Sequence, residues 1–383
     1  MPRKTPAAQP SGPVQLLTPQ GGAAPDDRLP FDPADADLPA LYRDMVLARR
    51  LDTEAIALQR QGELGLWPSL FGQEAAQVGA AHALRASDMV FPTYREHGVA
   101  LCRGLDPVAL LGLFRGTTLG GWDPRETSFN LYTLVIGAQT LHAVGYAMGL
   151  VRDAARQAAA GTPQPPGDAP AVLVFLGDGA LSEGETNEAF IWAATQKLPV
   201  VFFCQNNQWA ISAPYRVQSI VPVARRADGF GFPGVRVDGN DVLACLAATR
   251  RALAAARAGE GPTLIEAFTY RRNAHTTADD AGRYREAAEE QEWAAKDPIT
   301  RLHAHLTATG AAVPGFFDGV EAEAQALAER LRSGCRALPD PEPDSPFEHT
   351  YGETTPELRR QMADHRAHLA ALAQGAETSG DRA

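Results

Sequence analysis

The sequence predicts an α/β protein with a largely parallel sheet covered by helices on both faces. Three observations carry this. Short apolar runs recur as AVLVFLGDG, LPVVFFCQNN, GVRVDGN and GPTLIEAFTY, each ending in a polar turn. Segments of helical periodicity alternate with them. The runs are nearly continuous in apolar character rather than alternating, which a strand needs when it is buried on both faces.

Taken in order, residues 1–33 are rich in Pro, Gly and Ala and are expected to form a flexible N-terminal arm. Residues 34–62 form a long amphipathic helix, with Leu38, Leu41, Met45, Ala48 and Leu51 at helical spacing and Asp52 and Glu54 among solvated positions. GQEAAQVGAAHAL is a second helix whose small residues permit close packing, and residues 140–160 are a third. GTPQPPGDAP at 161–170 breaks the chain. After the strand AVLVFLGDG comes the helix EGETNEAFIWAATQ, with Ser182 as its N-cap and Glu183 and Glu185 at its positive end. The helix DVLACLAATRRALAAARAG separates the third and fourth strands. Residues 271–290 read as an irregular loop, and the remainder as helical. The α/β domain is expected to span 34–350, with a helical tail over 351–383.

Composition excludes several functions. The formal charge of −11 and the absence of a basic stripe argue against nucleic-acid binding. No apolar run approaches the roughly 20 residues needed to cross a membrane, and the N-terminus lacks the apolar core of a signal peptide. Cys102, Cys204, Cys245 and Cys335 form no CxxC pair and are expected to be free thiols in a reducing cytoplasm. GFGFPG at 229–234 fits a dinucleotide fingerprint formally, but a strand follows it where a helix is required.

The chemistry lies in GDGALSEG (177–184) and QNNQWAIS (205–212). In an open parallel sheet, ligands sit at the carboxyl ends of the strands. One helix and one returning strand occupy the residues between GDG and NN, which brings Asp178 and the Asn206–Asn207 pair to one rim. Carboxylate and amide oxygens suit Mg²⁺, which is commonly shared with phosphate oxygens. Gly177 and Gly179 leave room for a diphosphate, and the start of the following helix directs N–H groups toward the same anion.

GDG, twenty-six residues and NN resemble the thiamin-diphosphate motif of the transketolase-like superfamily. Across about residues 35–350 the text resembles the alpha subunit of the decarboxylating component of 2-oxo acid dehydrogenase complexes. The blocks are GQEAAQVGAA, FPTYREHG, IGAQTLHAVG, GDGALSEG, QNNQWAIS, VDGNDVLA, GPTLIEAFTYR and HTTADDAGRYR. The resemblance implies a thiamin-diphosphate-binding fold. It implies Mg²⁺ held by Asp178, Asn207 and the Trp209 carbonyl. The cofactor would be lined by Thr93, Tyr94, Arg95, Leu134, Val135, Ile136, Gly177, Asp178, Gly179, Ala180, Leu181, Ser182, Glu183, Asn207, Gln208, Trp209, Ala210, Ile211 and His275. Arg95 would grip the diphosphate by charge-assisted hydrogen bonds, and Ile136 would press on the folded cofactor. Gln205 stands where some branched-chain relatives have Arg. Some relatives hold potassium beside the VIGAQ segment; Ala138 offers no side-chain oxygen, so that ion is not expected.

His275 matches the catalytic histidine at the mouth of the family's site. Its implied tasks are a hydrogen bond near the reacting carbon and help in acyl transfer, for which a near-neutral pKa suits it. Thr276 matches a serine that is phosphorylated in some relatives. Arg272, Asp279, Asp280 and Arg285 are expected to pair and order the loop, and His142 to be a packing residue. Substrate would meet Leu66, Tyr94 and His275.

The implied reaction is oxidative decarboxylation of a 2-oxo acid with acyl transfer to a lipoyl domain. No glutamate here is a good candidate to activate the cofactor pyrimidine; in the family it comes from a beta subunit. An α₂β₂ heterotetramer docking on a lipoyl-bearing acyltransferase core follows. Leu66 and the wording of GDGALSEG, HTTADDAGRYR and VDGNDVLAC favour a branched-chain acid such as 2-oxoisovalerate (3-methyl-2-oxobutanoate), with pyruvate as the alternative. A regulatory paralogue that kept the fold is the non-enzyme alternative, and it would require lost metal ligands.

Overall fold

The structure, a computed structural model, describes residues 12–380 apart from 119, 120, 164, 166 and 349, with side chains as far as residue 374. Five parallel strands form the central sheet: β1 (Met89–Phe91), β2 (Val172–Gly177), β3 (Val200–Asn206), β4 (Gly234–Asp238) and β5 (Thr263–Phe268). Their order is β1-β2-β3-β5-β4.

The predicted two-sided burial appears in the side chains. Leu173, Phe175, Val201, Phe203, Val237 and Ile265 enter one core, with α1 (Leu38–Arg60), α2 (Glu74–Ala81), α3 (His97–Cys102) and α6 (Val242–Arg257). Their neighbours Val172, Val174, Leu176, Val200, Phe202 and Leu264 enter the other, under α4 (Ala138–Ala159) and α5 (Gly184–Thr195). Successive strand residues point to opposite faces, so a strand between two helical layers must be apolar at every position.

Several expectations are corrected. The arm, from residue 12 on, is docked rather than flexible, and residues 1–11 lie outside the described residues. Val14 pairs in parallel with Val237 on the open edge of β4, and Leu16, Leu17 and Leu29 are buried. The Asp241 carboxylate accepts from the Leu16 and Leu17 N–H groups at 2.6 and 2.7 Å, and its other oxygen caps α6. Composition suggested mobility, but an unpaired sheet edge and a buried carboxylate give this segment partners.

Asp52 and Glu54 are not solvated. Asp52 is enclosed by Trp67 and Ser69, and Glu54 is covered by Arg332. They lie on opposite sides of α1: Asp52 faces the loop carrying Trp67, Ser69 and Leu70, and Glu54 faces a second helix, α7 (Phe316–Ala337), which carries Arg332. Ser182 does not cap α5. A 3-10 turn over Asp178–Ser182 intervenes, and Glu183 takes the cap position without a side-chain bond. His142 is exposed on α4 rather than packed. β1 escaped prediction because three residues are too few to show a period. The tail is helical over Pro356–Gly380. All four cysteines are free. Among the described residues, no helix is long and apolar enough to cross a membrane.

GFGFPG is explained by packing. Gly231 ends a short helix in the left-handed conformation, and a Cβ at Gly234 would stand 1.9 Å from the Ala224 carbonyl oxygen.

Candidate active site

The register of the sheet builds the site. Gly177 at the end of β2 is level with Gln205 near the end of β3, so Asp178 and Asn207 leave the sheet almost together. Beside them, Thr269 N–H bonds to the Asn206 carbonyl and Arg271 N–H to that of Asn207, which carries the β5 exit to the same rim. β1 supplies Thr93, Tyr94 and Arg95 from the opposite side. Four adjacent strand ends thus open onto one cavity of about 520 Å³.

Most of the predicted residues line that cavity: Leu66, Thr93, Tyr94, Arg95, Leu134, Ile136, Gly177, Asp178, Gly179, Ala180, Glu183, Asn207, Trp209, Ala210, Ile211 and His275. Four do not. Val135 faces outward, Leu181 is buried in the core beneath the turn, Ser182 is exposed, and the Gln208 side chain donates to the Thr269 carbonyl at 2.8 Å. Gly179 is small for a reason other than ligand approach: a Cβ there would meet that of Ala210 at 2.9 Å.

Asp178 is 3% exposed and accepts from the Gln218 amide at 3.0 Å. Burial pushes its pKa up to about 6, partly offset by Gln218, the Asn207 N–H and the Arg271 charge. A buried carboxylate with no cation bonded to it is electrostatically costly, and a divalent ion removes that cost. Asn207 accepts at Oδ1 from the Trp209 N–H at 3.3 Å. Gln73 Nε2 and Gln139 Oε1, on two cavity-lining residues, are buried with no partner in the protein. Buried polar atoms are normally satisfied, so these two fit a polar ligand. The residues present therefore fit a magnesium-bound diphosphate.

Like Gln73 and Gln139, Arg271 is a cavity residue that sequence reasoning missed. Its guanidinium donates to the Trp209 carbonyl at 3.0 Å and, through the other terminal nitrogen, to the Ile211 carbonyl at 2.7 Å and the Tyr284 hydroxyl at 3.0 Å. It holds a strained segment: Gln208 and Ile211 have φ of 72° and 55°, and Ile211 is β-branched. Burial and the Arg95 charge lower its pKa to about 10, so it stays charged near neutrality. Its signal in the text was only an arginine after a strand.

His275 packs against Tyr94 and faces two guanidiniums: Nδ1 lies 3.2 Å from Arg95 and 3.4 Å from Arg271. Neither guanidinium can accept, so Nδ1 carries the lone pair and Nε2 the proton. Burial and the two arginines lower the pKa to about 4. The near-neutral value expected for this residue is corrected; His275 here is a neutral hydrogen-bond donor.

The loop is ordered by partners other than those expected. Asp279 accepts from the His275 N–H at 2.8 Å and pairs with the Tyr284 hydroxyl. Arg285 donates to the carbonyls of residues 271 and 272, and Arg272 pairs with Glu290 and Asp297. Arg95 donates to the Ser69 carbonyl at 2.6 Å and the His275 carbonyl at 3.0 Å, closing the loop over the cavity. Beneath it, Glu96 accepts from the Thr93 N–H and hydroxyl and from Gln205 at 2.6 Å, which places Gln205 in support of Thr93.

A doubly covered parallel sheet whose adjacent strand ends present this carboxylate, amide and arginine set defines the class: the chain belongs to the dehydrogenase E1 component family, whose model matches residues 42–332. It is 46% identical over 360 residues to the 3-methyl-2-oxobutanoate dehydrogenase subunit alpha of Mycobacterium tuberculosis, covering 94% of each chain. It is 37% identical to the pyruvate dehydrogenase E1 component subunit alpha of Acholeplasma laidlawii, over 86% of this chain and 92% of that one. The corresponding subunit of Staphylococcus epidermidis is also 37% identical, over 78% and 77%.

Proposed function

We propose that this chain is the alpha subunit of a thiamin-diphosphate-dependent 2-oxo acid dehydrogenase acting on 3-methyl-2-oxobutanoate and similar branched acids. The observation that carries the reading is Asp178 and Asn207 at neighbouring strand ends, facing one cavity with two unpartnered amide atoms. Asp178, Asn207 and the Trp209 carbonyl would hold Mg²⁺; for the last, Arg271 shares the oxygen or yields it. Arg95 and Tyr94 would hold the diphosphate. When bound, the cofactor supplies the nucleophilic carbon and the electron sink for loss of carbon dioxide.

The chain's own residues bind, orient and exclude water. Neutral His275 offers its Nε2–H to the substrate oxygen or the diphosphate. The two arginines beside it keep a proton off Nδ1, so it acts as a fixed donor. Leu66, Leu134, Ile136 and Ile211 form apolar walls that suit a branched aliphatic chain.

The partner reading rests on what the cavity lacks. Of its two glutamates, Glu96 is fully engaged and Glu183 lies at the exposed rim. Leu134, Val135, Ile211, Val217 and Ile220 are exposed nearby, an apolar border that suits a beta subunit. An α₂β₂ assembly, docking on a lipoyl-bearing acyltransferase core and a cytoplasmic location complete the proposal.

Calorimetry on the alpha–beta complex tests it. Thiamin diphosphate with Mg²⁺ should bind to the native complex and not to Asp178→Ala. Initial rates should be greater on 3-methyl-2-oxobutanoate than on pyruvate. Greater turnover of pyruvate moves the assignment to pyruvate dehydrogenase, and no cofactor binding by a folded complex sinks both.

A further inference from the structure

Outside the cofactor cavity, three helices bring together a carboxylate, an imidazole and a thiol. Asp44 lies on α1, His82 directly follows α2, and Cys102 ends α3. One donor atom from each lies within 4.8 Å of the other two, the one such His, Cys, Asp or Glu group among the described residues. His82 Nε2 is 2.7 Å from Asp44 Oδ2, and Cys102 Sγ is 3.8 Å from the same oxygen. Arg43 donates to Asp44 Oδ1 at 2.8 Å, which fixes the carboxylate with Oδ2 toward the other two donors. Asp44 and Cys102 also line a separate cavity of about 590 Å³. None of the three residues lines the cofactor cavity.

We infer that Asp44, His82 and Cys102 form a binding site for a zinc-class divalent cation that pins α1, α2 and α3 together. The donor set decides the class. Sulfur and imidazole with one carboxylate suit Zn²⁺ and do not suit Mg²⁺ or Ca²⁺. The geometry is close. Tetrahedral bonds of about 2.0 Å to oxygen and nitrogen and 2.3 Å to sulfur place the oxygen and nitrogen about 3.3 Å apart and the sulfur and oxygen about 3.5 Å apart. The observed 2.7 and 3.8 Å lie on either side of those values. These two separations lie within about 0.6 Å of those of a zinc site, the sulfur and the imidazole nitrogen lie within 4.8 Å of each other, and the adjoining cavity admits a water as fourth ligand.

A thiol beside a carboxylate is otherwise poorly placed to ionise: burial first, and then Asp44, push the Cys102 pKa upward. A cation held between the two groups reverses that electrostatic balance.

The test uses the full-length chain and Co²⁺ as a spectroscopic probe. One equivalent should produce a thiolate-to-cobalt charge-transfer band. That band should be absent from Cys102→Ser and strongly weakened in His82→Gln. Co²⁺ at the Asp178 site, whose proposed ligands are all oxygens, cannot produce it, so failure of one site is read separately from the other. Zn²⁺ should also slow alkylation of Cys102 at least tenfold, and the remaining cysteines are fully buried and silent. Absence of the band in the native chain, or its persistence in Cys102→Ser, overturns the proposal.

Discussion

Asp52 shows how a single buried carboxylate sets the wall of the cavity. Its Oδ1 accepts from Trp67 Nε1 at 2.7 Å and the Leu70 N–H at 2.9 Å, and its Oδ2 from the Ser69 hydroxyl at 2.6 Å. Ser69 in turn gives its carbonyl to Arg95 and accepts from Asn273, and the Trp67 N–H bonds to Thr277. Burial pushes the Asp52 pKa from 3.8 to about 6, against the three donors. The folded value exceeds the unfolded one, so the native state holds the extra proton between them. That contribution is present below about pH 4 and is lost as pH rises through about 6. Asp52→Asn should therefore flatten the stability–pH curve between those limits. It should add about 1–3 kcal/mol at pH 7.5, read by denaturant unfolding. A curve identical to the native one refutes the argument. Arg271 makes a second case. Lysine cannot reach two carbonyls and a hydroxyl from one rigid fork. Arg271→Lys should weaken cofactor binding by the alpha–beta complex about ten- to a hundredfold in calorimetry, through losing a charged hydrogen bond of about 1.5–3 kcal/mol.

At the scale of elements, small residues decide how closely the helices approach. Gly79 on α2 faces α6, where a Cβ would meet the Val242 carbonyl at 2.7 Å and Cys245 Cβ at 2.8 Å. α2 also carries Gln77, which bonds Gly98, Arg95 and Gln205. Gly79→Val should cost about 1–3 kcal/mol by overpacking and loosen Arg95 as well, visible as a lower Tm together with a higher cofactor Kd. Asp241 joins two elements, capping α6 and tethering the arm. Its alanine variant should lose more than the 0.5–2 kcal/mol of an ordinary cap, by about 2–4 kcal/mol in all, with proteolysis opening first within residues 12–30. A loss confined to the cap value, with the arm still protected, counts against the tether.

For the whole molecule, the exposed apolar border of the cavity sets what the chain does alone. Leu134 and Val135 are 70 and 72% exposed at its lip. Chain rigorously free of a beta subunit should show no 2-oxo acid turnover with thiamin diphosphate and Mg²⁺ added. Activity should appear only on reconstitution, with Val135→Asp raising the concentration of partner required. Turnover by the isolated chain removes the half-site reading.

Much of this was legible in the amino-acid text. The strands at 172–177, 200–206 and 263–268 follow from apolar character at every position, because a sheet covered on both faces has no polar side. The exits carrying Asp178 and Asn207 follow from strand lengths and the single helix between them, which is local information. Other features had no local cause. The arm's order depends on the open edge of β4 and on Asp241, more than 200 residues away. The burial of Asp52 depends on a loop and that of Glu54 on α7, and the low pKa of His275 depends first on burial and then on two arginines arriving after β1 and β5. Periodicity and motif spacing determined which face of each element is apolar and which residues sit at strand ends. Only the assembled tertiary structure decided which charges meet, because burial and Coulomb interactions act through space rather than along the chain.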